Sequence, residues 1–475
     1  MSVTTQPLGT AEAPASDPSL HGLDGVNFFL AALLTGFGPY VAAYLADQKW
    51  AQADIGLVLS ASGIAALLSQ VSGGELLDKI REKRAVVAAG VGVVTVSALI
   101  IALRPDLVPV FAGLVLQGVT AGFIWPAIAA ISLGLVGYSA LAERLGRNQR
   151  FASTGSLLGA GLMGLVGYLL SYQAIFLIVA ALALPLFTAL FRIRPGDIHF
   201  GRSCGAPDHL GPGEPRRVRR QSLWQDSRLL VFCSCLFLFQ LANASILPLA
   251  GEALVQRSSK ASSLIIAVLI IVPQVIVALA APWAGRQAQI LGRRPLLLIG
   301  FAALPIRALG FALAGSPLLF IGLQALDGIS ATVLGVLTAL IVADLTGGTG
   351  RFNLTQGIVG TASGIGATLS TTLSGVVAQT LGTGAGFSFI TGVAVIAALV
   401  VFFLCRRPSR NRRINRAARA TADNFPRTPV GDVRFLFNNR AFPAACESVR
   451  KSWRALAVNR LLSSDGIRIA RLPGD

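Results

Sequence analysis

An aspartate stands beside a basic cluster between two apolar stretches of the chain. Asp78 is followed by Lys79, Lys83 and Arg84, and Gly74 lies four residues before it. A carboxylate at the end of a helix can pair with a basic residue or face the positive N-terminal end of a neighbouring helix. Either contact would hold two parts of the molecule in one state. The cluster therefore indicates a conformational gate, or else a set of charges that only orients the chain in a membrane.

Two further charges, Arg307 and Asp327, lie near the middle of long apolar runs. Each is roughly 15 Å from the start of its run, at about 1.5 Å per helical residue. If the two runs are adjacent antiparallel helices, both charges lie at one depth. A lone charge in lipid costs at least about 2.5 kcal/mol, so we predict a buried pair. Two roles stay open: a structural salt bridge, or a pair broken by protonation of Asp327 or by an anionic substrate that competes for Arg307.

Polar and aromatic side chains recur within four of the apolar runs. Such side chains line pockets for small organic molecules, although hydrogen bonding between helices explains Asn and Gln equally well. The predicted cavity residues are Asn27, Tyr40, Tyr44, Gln117, Trp125, Gln240, Asn243 and Gln324.

No constellation in the sequence indicates a catalytic residue, a cofactor or a metal ion. The histidines lie in polar segments away from the cysteines, so no metal site is predicted. The phosphate-binding pattern G-x-x-x-x-G-K-[ST] is missing, and no nucleophile–base pair is evident. We therefore expect that the protein is not an enzyme.

The elements that carry these residues are apolar helices. Of the 475 residues, 53% are hydrophobic and only 13% are charged, whereas soluble domains carry about 25% charged residues. A helix needs about 20 apolar residues to cross a bilayer. The sequence thus predicts an all-α membrane protein whose twelve spans are 25–47, 53–73, 85–103, 107–136, 151–171, 174–192, 229–250, 262–284, 296–315, 317–343, 356–380 and 386–405.

Basic residues are concentrated in the loops on one side of these spans. The loops after the even-numbered spans carry most of the Lys and Arg, and the loops on the other side carry few. Cations are retained on the cytoplasmic side, so we predict a multi-pass protein of the cytoplasmic (inner) membrane with both termini cytoplasmic. This pattern also explains the net charge of +18 without a nucleic-acid partner.

The two halves of the sequence resemble each other at matching places. Segment 74–84 corresponds to 285–294, segment 116–121 to 326–331, and segment 146–148 to 350–353. Four such matches in the same order, including Pro39 with Pro248, indicate an internal repeat.

Segment 74–84 resembles the signature G-x-L-a-D-r-x-G-r-k-R of the major facilitator superfamily. It departs at Arg81, where the family usually has Gly, and the second copy has Gln289 in place of the acidic residue. The resemblance implies two pseudo-symmetric six-helix bundles around a central cavity that opens alternately to either side. It also implies a conformational gate at Gly74, Asp78, Lys79, Lys83 and Arg84. Arg147 and Arg351, which recur before the fifth and eleventh spans, are predicted as the counterparts of Asp78 in this gate.

The resulting organisation has five parts. A cytoplasmic segment (1–24) precedes an N-terminal bundle (25–192), and a basic linker (193–228) precedes a C-terminal bundle (229–405). A basic cytoplasmic tail (406–475), predicted to be disordered, completes the chain.

The predicted function is secondary active transport of a small organic molecule by alternating access, coupled to protons. Export is favoured over uptake, because segment 155–161 resembles a glycine-rich motif of drug–proton antiporters, with Ala160 at its usual Pro. The expected partners are a small-molecule substrate, protons and membrane lipids, and the chain is expected to be a monomer. The alternatives are a non-transporting sensor or scaffold on the same fold, and a membrane-embedded enzyme.

Overall fold

The computed structural model describes residues 15–37, 39–206, 226–250, 262–313 and 317–404. Within these ranges all regular secondary structure is helical. Residues 1–14 of the predicted N-terminal segment, 207–225 of the linker and the whole predicted tail (406–475) lie outside the described residues.

Thirteen α-helices are labelled here in chain order. In the N half they are α1 (Asp17–Thr35), α2 (Pro39–Asp47), α3 (Gln52–Lys79), α4 (Lys83–Leu103), α5 (Leu107–Leu169), α6 (Tyr172–Arg192) and the short α7 (Phe200–Ser203). In the C half they are α8 (Ser227–Asn243), α9 (Ser262–Ile290), α10 (Arg293–Leu313), α11 (Pro317–Thr346), α12 (Phe352–Leu381) and α13 (Thr383–Leu404). A 3₁₀ turn at Pro195–Asp197 precedes α7.

Ten helical segments in the described part of the chain are long and apolar enough to cross a membrane. One of them, α5, contains two predicted spans, because the helix is broken at Gly137, whose φ of 67° and ψ of −177° are not helical. The helix α12 is the remaining predicted span. Its many Gly, Ser and Thr residues lower its hydropathy.

Two helices begin at least eight residues earlier than the sequence predicts. The first starts at Asp17 rather than at residue 25, and the fifth span runs on from the break at Gly137 rather than starting at 151. Both early turns contain charges that were read as loop residues. Asp24 and Arg144 neutralise each other across the two helices, and this pairing allows the helices to continue through the charged positions.

Each half has its own hydrophobic core. One cluster of buried side chains is drawn from residues 23–193 of the N half. The other is drawn from residues 229–401, joined by part of α5 between Ala129 and Leu145. The middle of α5 therefore packs into the core of the C half, and the two halves meet along this helix.

The helix connections define two faces. The face at which α3 meets α4, α9 meets α10 and α11 meets α12 is called the basic face here, because it carries the basic loops of the sequence. The halves approach closely near it, where a Cβ on Gly146 would lie 2.5 Å from the Ala281 carbonyl oxygen and one on Gly285 would lie 2.4 Å from that of Ala142. Only glycine allows α5 and α9 to cross at this distance.

Candidate functional site

The carboxylate of Asp78 closes the gap between the halves at the basic face. Asp78 is the second-last residue of α3 and is only 7% exposed. Its Oδ1 accepts hydrogen bonds from the backbone N–H and the side-chain amide of Asn353 at 3.1 and 2.8 Å, and its Oδ2 accepts one from the Leu354 N–H at 2.9 Å. These donors belong to the first turn of α12. The carboxylate thus caps the positive end of a helix in the opposite half.

Gly74 allows this capping contact to form. It lies one turn before Asp78 on α3, and a Cβ at this position would lie 2.4 Å from the Asn353 carbonyl oxygen. A side chain here would displace backbone, not a flexible side-chain end. The glycine and the carboxylate of the predicted gate therefore serve one helix crossing.

The basic members of the cluster stay within the N half. Lys79 is exposed and pairs with Glu75 at 2.7 Å. Lys83, 1% exposed, donates to the carbonyl oxygens of Leu77 and Ile80, which end α3. The Arg84 guanidinium donates to the carbonyl oxygen of Ile193 at 2.5 Å. They fix the end of α3 that presents Asp78.

Arg147 and Arg351, predicted as further gate residues, do not bond to Asp78 in the part of the chain that the structure describes. Arg147 instead forms a bidentate pair with Asp24 of α1, at 3.1 and 2.5 Å. Arg351 is the residue just before α12, and its positive charge acts on Glu75. Asp78 bonds to backbone N–H groups and to the side-chain amide of Asn353 rather than to guanidinium groups, so neither arginine has the partner expected for it.

A buried polar network in the N half was missed by the sequence analysis. Arg144, 4% exposed, bonds to Asp24 at 2.5 Å and to Asn148 at 2.7 Å, and Asn148 donates to Ser132 at 2.7 Å. It joins α1 to both segments of α5. The sequence does contain a signal for this network. Asp24 is an acidic residue beside an apolar run, and Arg144 and Arg147 lie three residues apart in another segment.

The linker after α6 also contributes to the closed end. The carbonyl oxygen of Cys204 accepts from the Phe352 N–H at 3.1 Å, and that of Gly205 accepts from the Gly348 N–H at 2.8 Å. The Cys204 thiol is fully buried and donates to the carbonyl oxygen of Asp78 at 3.3 Å. Segment 203–205 thus lies between the end of α3 and the start of α12, where the sequence predicted only a polar linker.

A second linker contact holds the start of α1. Asp197 accepts hydrogen bonds from the hydroxyls of Ser16 and Ser19, the latter at 2.6 Å. These bonds favour the ionised carboxylate, so the hydroxyl of Ser16, and then that of Ser19, hold the pKa of Asp197 below its usual range.

A cavity of about 390 Å³ lies between the halves above this closed end. Its polar lining is dominated by amides, with one indole, and contains no carboxylate or ammonium group among the described residues. The polar lining residues are Asn27, Gln70, Trp125, Asn148, Gln149, Thr338, Gln356 and Ser363. Both halves supply them.

A second cavity of about 250 Å³ adjoins the first and shares the wall formed by Leu334, Thr338 and Ser363. Its other polar lining residues are Gln240, Asn243 and Asp327. The side-chain oxygen of Asn243 is buried and has no hydrogen-bond partner in the described part of the protein. The second cavity thus adds a carboxylate and an available acceptor.

Four of the eight predicted cavity residues line neither space. Tyr40 donates to the Ala160 carbonyl oxygen at 3.0 Å, and Tyr44 packs against Phe176. Gln117 accepts from the Ser62 hydroxyl at 3.2 Å. Gln324 is 1% exposed and lies away from both linings. The first three of these side chains join neighbouring helices. The other four predicted residues, Asn27, Trp125, Gln240 and Asn243, reach the cavities.

Most of the missed lining residues lie outside the four spans that carry the predicted cavity residues. Gln70 lies on α3, Gln149 on α5, and Gln356 and Ser363 on α12. The cavity residues predicted from the sequence all lie in spans 1, 4, 7 and 10. A glutamine within an otherwise apolar span was the available signal, because an amide in lipid needs a partner or a water-filled space.

The structure brings Arg307 and Asp327 together. Their side chains form an ion pair between α10 and α11, with the guanidinium 2% exposed and the carboxylate 23% exposed. The guanidinium is enclosed by protein, and the carboxylate faces the second cavity. One charge of the pair is thus accessible from the cavity and the other is not.

Among the residues that the structure describes, no group of three or more His, Cys, Asp or Glu side chains is placed to hold a metal ion.

Comparisons with known proteins agree with this architecture. The sequence matches the profile of the Major Facilitator Superfamily over residues 23–242 and 232–463. An uncharacterised MFS-type transporter of Mycobacterium tuberculosis is 36% identical over 382 residues, which cover 79% of this chain and 90% of that protein.

Two more distant similarities are informative in different ways. The quinolone resistance protein NorA of Staphylococcus aureus is 25% identical over 139 residues, covering 29% of this chain and 36% of NorA. The crystal structure of the human organic anion transporter MFSD10 superimposes with a TM-score of 0.57, covering 81% of this chain and 98% of that one. At 15% sequence identity, the second likeness concerns the fold alone.

Proposed function

This chain belongs to the major facilitator superfamily of membrane transporters, and we propose that it moves a small organic molecule by alternating access, coupled to protons. The observation that carries the proposal is a cavity between the halves with polar lining from both of them, an adjoining cavity lined by the C half, and a closed end at the basic face. We further propose that the basic face is cytoplasmic and that both termini lie on that side of an inner membrane.

The proposed gate is the contact of Asp78 with the start of α12. Hydrogen bonds to a charged group contribute about 1.5–3 kcal/mol each, and the carboxylate accepts three of them. Together they contribute about 4.5–9 kcal/mol, so a ligand can open the gate only if it favours the other state by a comparable amount. The second copy of the signature has Gln289, whose amide donates to the Ser139 carbonyl oxygen at 2.8 Å, so only the first copy supplies a charged latch.

The proposed proton site is Asp327. Protonation of its carboxylate removes the negative charge that balances Arg307, which is 2% exposed. An uncompensated buried guanidinium is costly, so a change of shape or the arrival of an anionic group must follow. This requirement links the charge state of Asp327 to the conformation around the second cavity.

The proposed substrate is a polar organic molecule with several hydrogen-bonding groups. The amide-rich lining matches hydrogen-bond donors and acceptors, and Trp125 offers a stacking surface. The volumes of about 390 and 250 Å³ lie in or near the range of about 300–1,000 Å³ for small-molecule pockets. Export is favoured over uptake, supported by the partial similarity to a quinolone resistance protein.

A two-stage experiment tests the function. Purified protein is first screened for ligands that raise its melting temperature, because a bound ligand stabilises the native state. Proteoliposomes loaded with each hit are then tested for flux driven by a pH gradient. Saturable flux supports the proposal, whereas stabilising ligands that never cross the membrane would favour a sensor.

The proton site is tested in the same vesicles. Asp327→Asn is expected to abolish gradient-driven flux and to leave downhill exchange of the ligand. Asp344→Asn is a matched control, because Asp344 also lies on α11 and also pairs with an arginine of α10, Arg293 at 2.8 Å. Unaltered proton coupling in Asp327→Asn would reject the assignment.

The structural alternative for the ion pair has its own test. Removing either partner alone leaves the other unbalanced, so Arg307→Gln and Asp327→Asn should each lower the yield of folded protein. The double variant Arg307→Gln/Asp327→Asn should recover it. Equal yields of all variants would show that the pair adds nothing to folding.

A further inference from the structure

A third cavity lies at the basic face, on the outer side of the crossing between α5 and α9. Its volume is about 560 Å³, and its lining consists of Phe28, Glu143, Arg147, Arg150, Phe151, Thr154, Pro282 and Arg286. We call it the arginine groove. It shares no lining residue with the two central cavities, so the transport path does not account for it.

The lining is strongly basic. It contains three arginines and one glutamate. Arg147 also shares Asp24 with the buried Arg144, so counting Asp24 and Glu143 against these four arginines leaves an excess of two positive charges. Arginine binds phosphate oxygens in a planar, two-pronged geometry. The groove thus offers the donors that a phosphate group requires.

The lining also changes character with depth. Arg147 and Arg150 lie closer to the basic face on α5, and Phe151 and Thr154 follow deeper along the same helix. On α9, which runs towards the basic face, Pro282 lies deeper than Arg286. A charged rim over a half-buried apolar floor matches a phospholipid, whose phosphate lies above its glycerol and acyl chains. A soluble phosphate would need only the rim.

We propose that the arginine groove binds the headgroup of an anionic glycerophospholipid of the cytoplasmic leaflet. Basic recesses between membrane helices on the cytoplasmic side suit such headgroups. The α5 wall lies in the N half and the α9 wall in the C half, so the bound lipid joins the two halves at the closed end.

Native mass spectrometry of the full chain in detergent tests the site. The protein is first exchanged into phosphatidylcholine and then titrated with phosphatidylglycerol. The wild type is expected to retain one phosphatidylglycerol tightly. Arg150→Gln/Arg286→Gln should bind it roughly 30-fold more weakly, because each basic residue near an anionic membrane surface contributes about 1 kcal/mol, or about fivefold.

Two control variants separate charge from folding. Arg192→Gln removes an exposed arginine from the same face outside the groove and should bind phosphatidylglycerol as the wild type does. Arg150→Lys/Arg286→Lys keeps the charge and should bind much more tightly than the glutamine pair. Equal phosphatidylglycerol binding by the wild type and the glutamine pair would overturn the proposal, as would equal losses in the lysine and glutamine pairs.

Competition identifies the source of the phosphate. Inorganic phosphate and glycerol phosphate lack the acyl chains that rest on the apolar floor, so at millimolar concentration they should not displace the lipid. Displacement of phosphatidylglycerol by either ion would mean that the groove is a site for a soluble phosphate, and the lipid assignment would fall.

Discussion

Replacing Asp78 with Asn removes the charge that holds α3 against α12 and leaves the shape of the side chain almost unchanged. The carboxylate accepts three hydrogen bonds from the first turn of α12. The amide keeps one acceptor oxygen and turns its NH₂ group towards backbone donors. At least one hydrogen bond is lost, the remaining ones no longer have a charged acceptor, and the attraction to the helix end is lost as well.

The size of the effect follows from these losses. A hydrogen bond to a charged group contributes about 1.5–3 kcal/mol, and a charge at a helix end contributes up to about 2 kcal/mol when partly buried. We expect the state closed at the basic face to lose about 3 kcal/mol relative to the open state. That difference shifts the equilibrium between the states roughly 150-fold towards the open state.

Cys204 is a natural reporter of this change, because its thiol is fully buried beneath the gate and bonds to the Asp78 carbonyl oxygen. In a background where the other cysteines are replaced by serine, the rate of maleimide labelling from the basic face measures the open population. Asp78→Asn should raise this rate at least tenfold. The control is Glu75→Gln, the same chemical change one turn away on the exposed side of α3.

Two results would refute the reasoning. Labelling of Asp78→Asn at the wild-type rate would mean that the carboxylate does not hold the gate. An equal increase in Glu75→Gln would mean that any loss of negative charge at the end of α3 loosens it.

Three further predictions concern the same end of the molecule. Gly74→Val should also speed maleimide labelling of Cys204, because the new Cβ would lie 2.4 Å from a backbone oxygen of α12. Gly63→Ala is the control and should leave the rate unchanged, because no atom lies within 4 Å of a Cβ at that position. Asp24→Asn should cost about 3–5 kcal/mol, seen as a lower melting temperature, because Arg144 is 4% exposed and loses its counter-charge. Hydrogen bonds lower the pKa of Asp197 in the folded protein. The stability that they give is therefore complete above the unfolded-state pKa and is lost as the pH falls through the folded-state pKa. Asp197→Asn should remove this contribution to the fall of the melting temperature in acid.

The helices were largely predictable because lipid imposes a simple rule on length and polarity. The deviations occur where charges are neutralised by distant partners. Asp24 and Arg144 are 120 residues apart, so neither could be recognised as compatible with a helix without knowledge of the other. The break at Gly137 and the contacts of Cys204 depend likewise on packing between elements.

The site was predictable in its chemistry and less so in its geometry. The types and spacing of residues 74–84 indicated a latch, and the structure supplies a contact for Asp78 of the kind expected, a helix N-terminus. The depth of Arg307 and Asp327 indicated their proximity. The cavity lining was predicted in part only, because the direction of a polar side chain on an apolar helix depends on rotation and tilt. Gln70 and Gln324 have the same chemistry, yet only Gln70 reaches the cavity.

Alternating access is tested most directly by measuring the distance between two spin labels on each face of the protein. Spin labels at Lys79 and Asp344 report on the basic face, and labels at Leu103 and Leu381 report on the opposite one; all four side chains are exposed. Between wild type and Asp78→Asn, the distance at the basic face should lengthen while the distance at the opposite face shortens. Distances that stay the same at both faces, or that lengthen together, would contradict a transporter that opens to one side at a time.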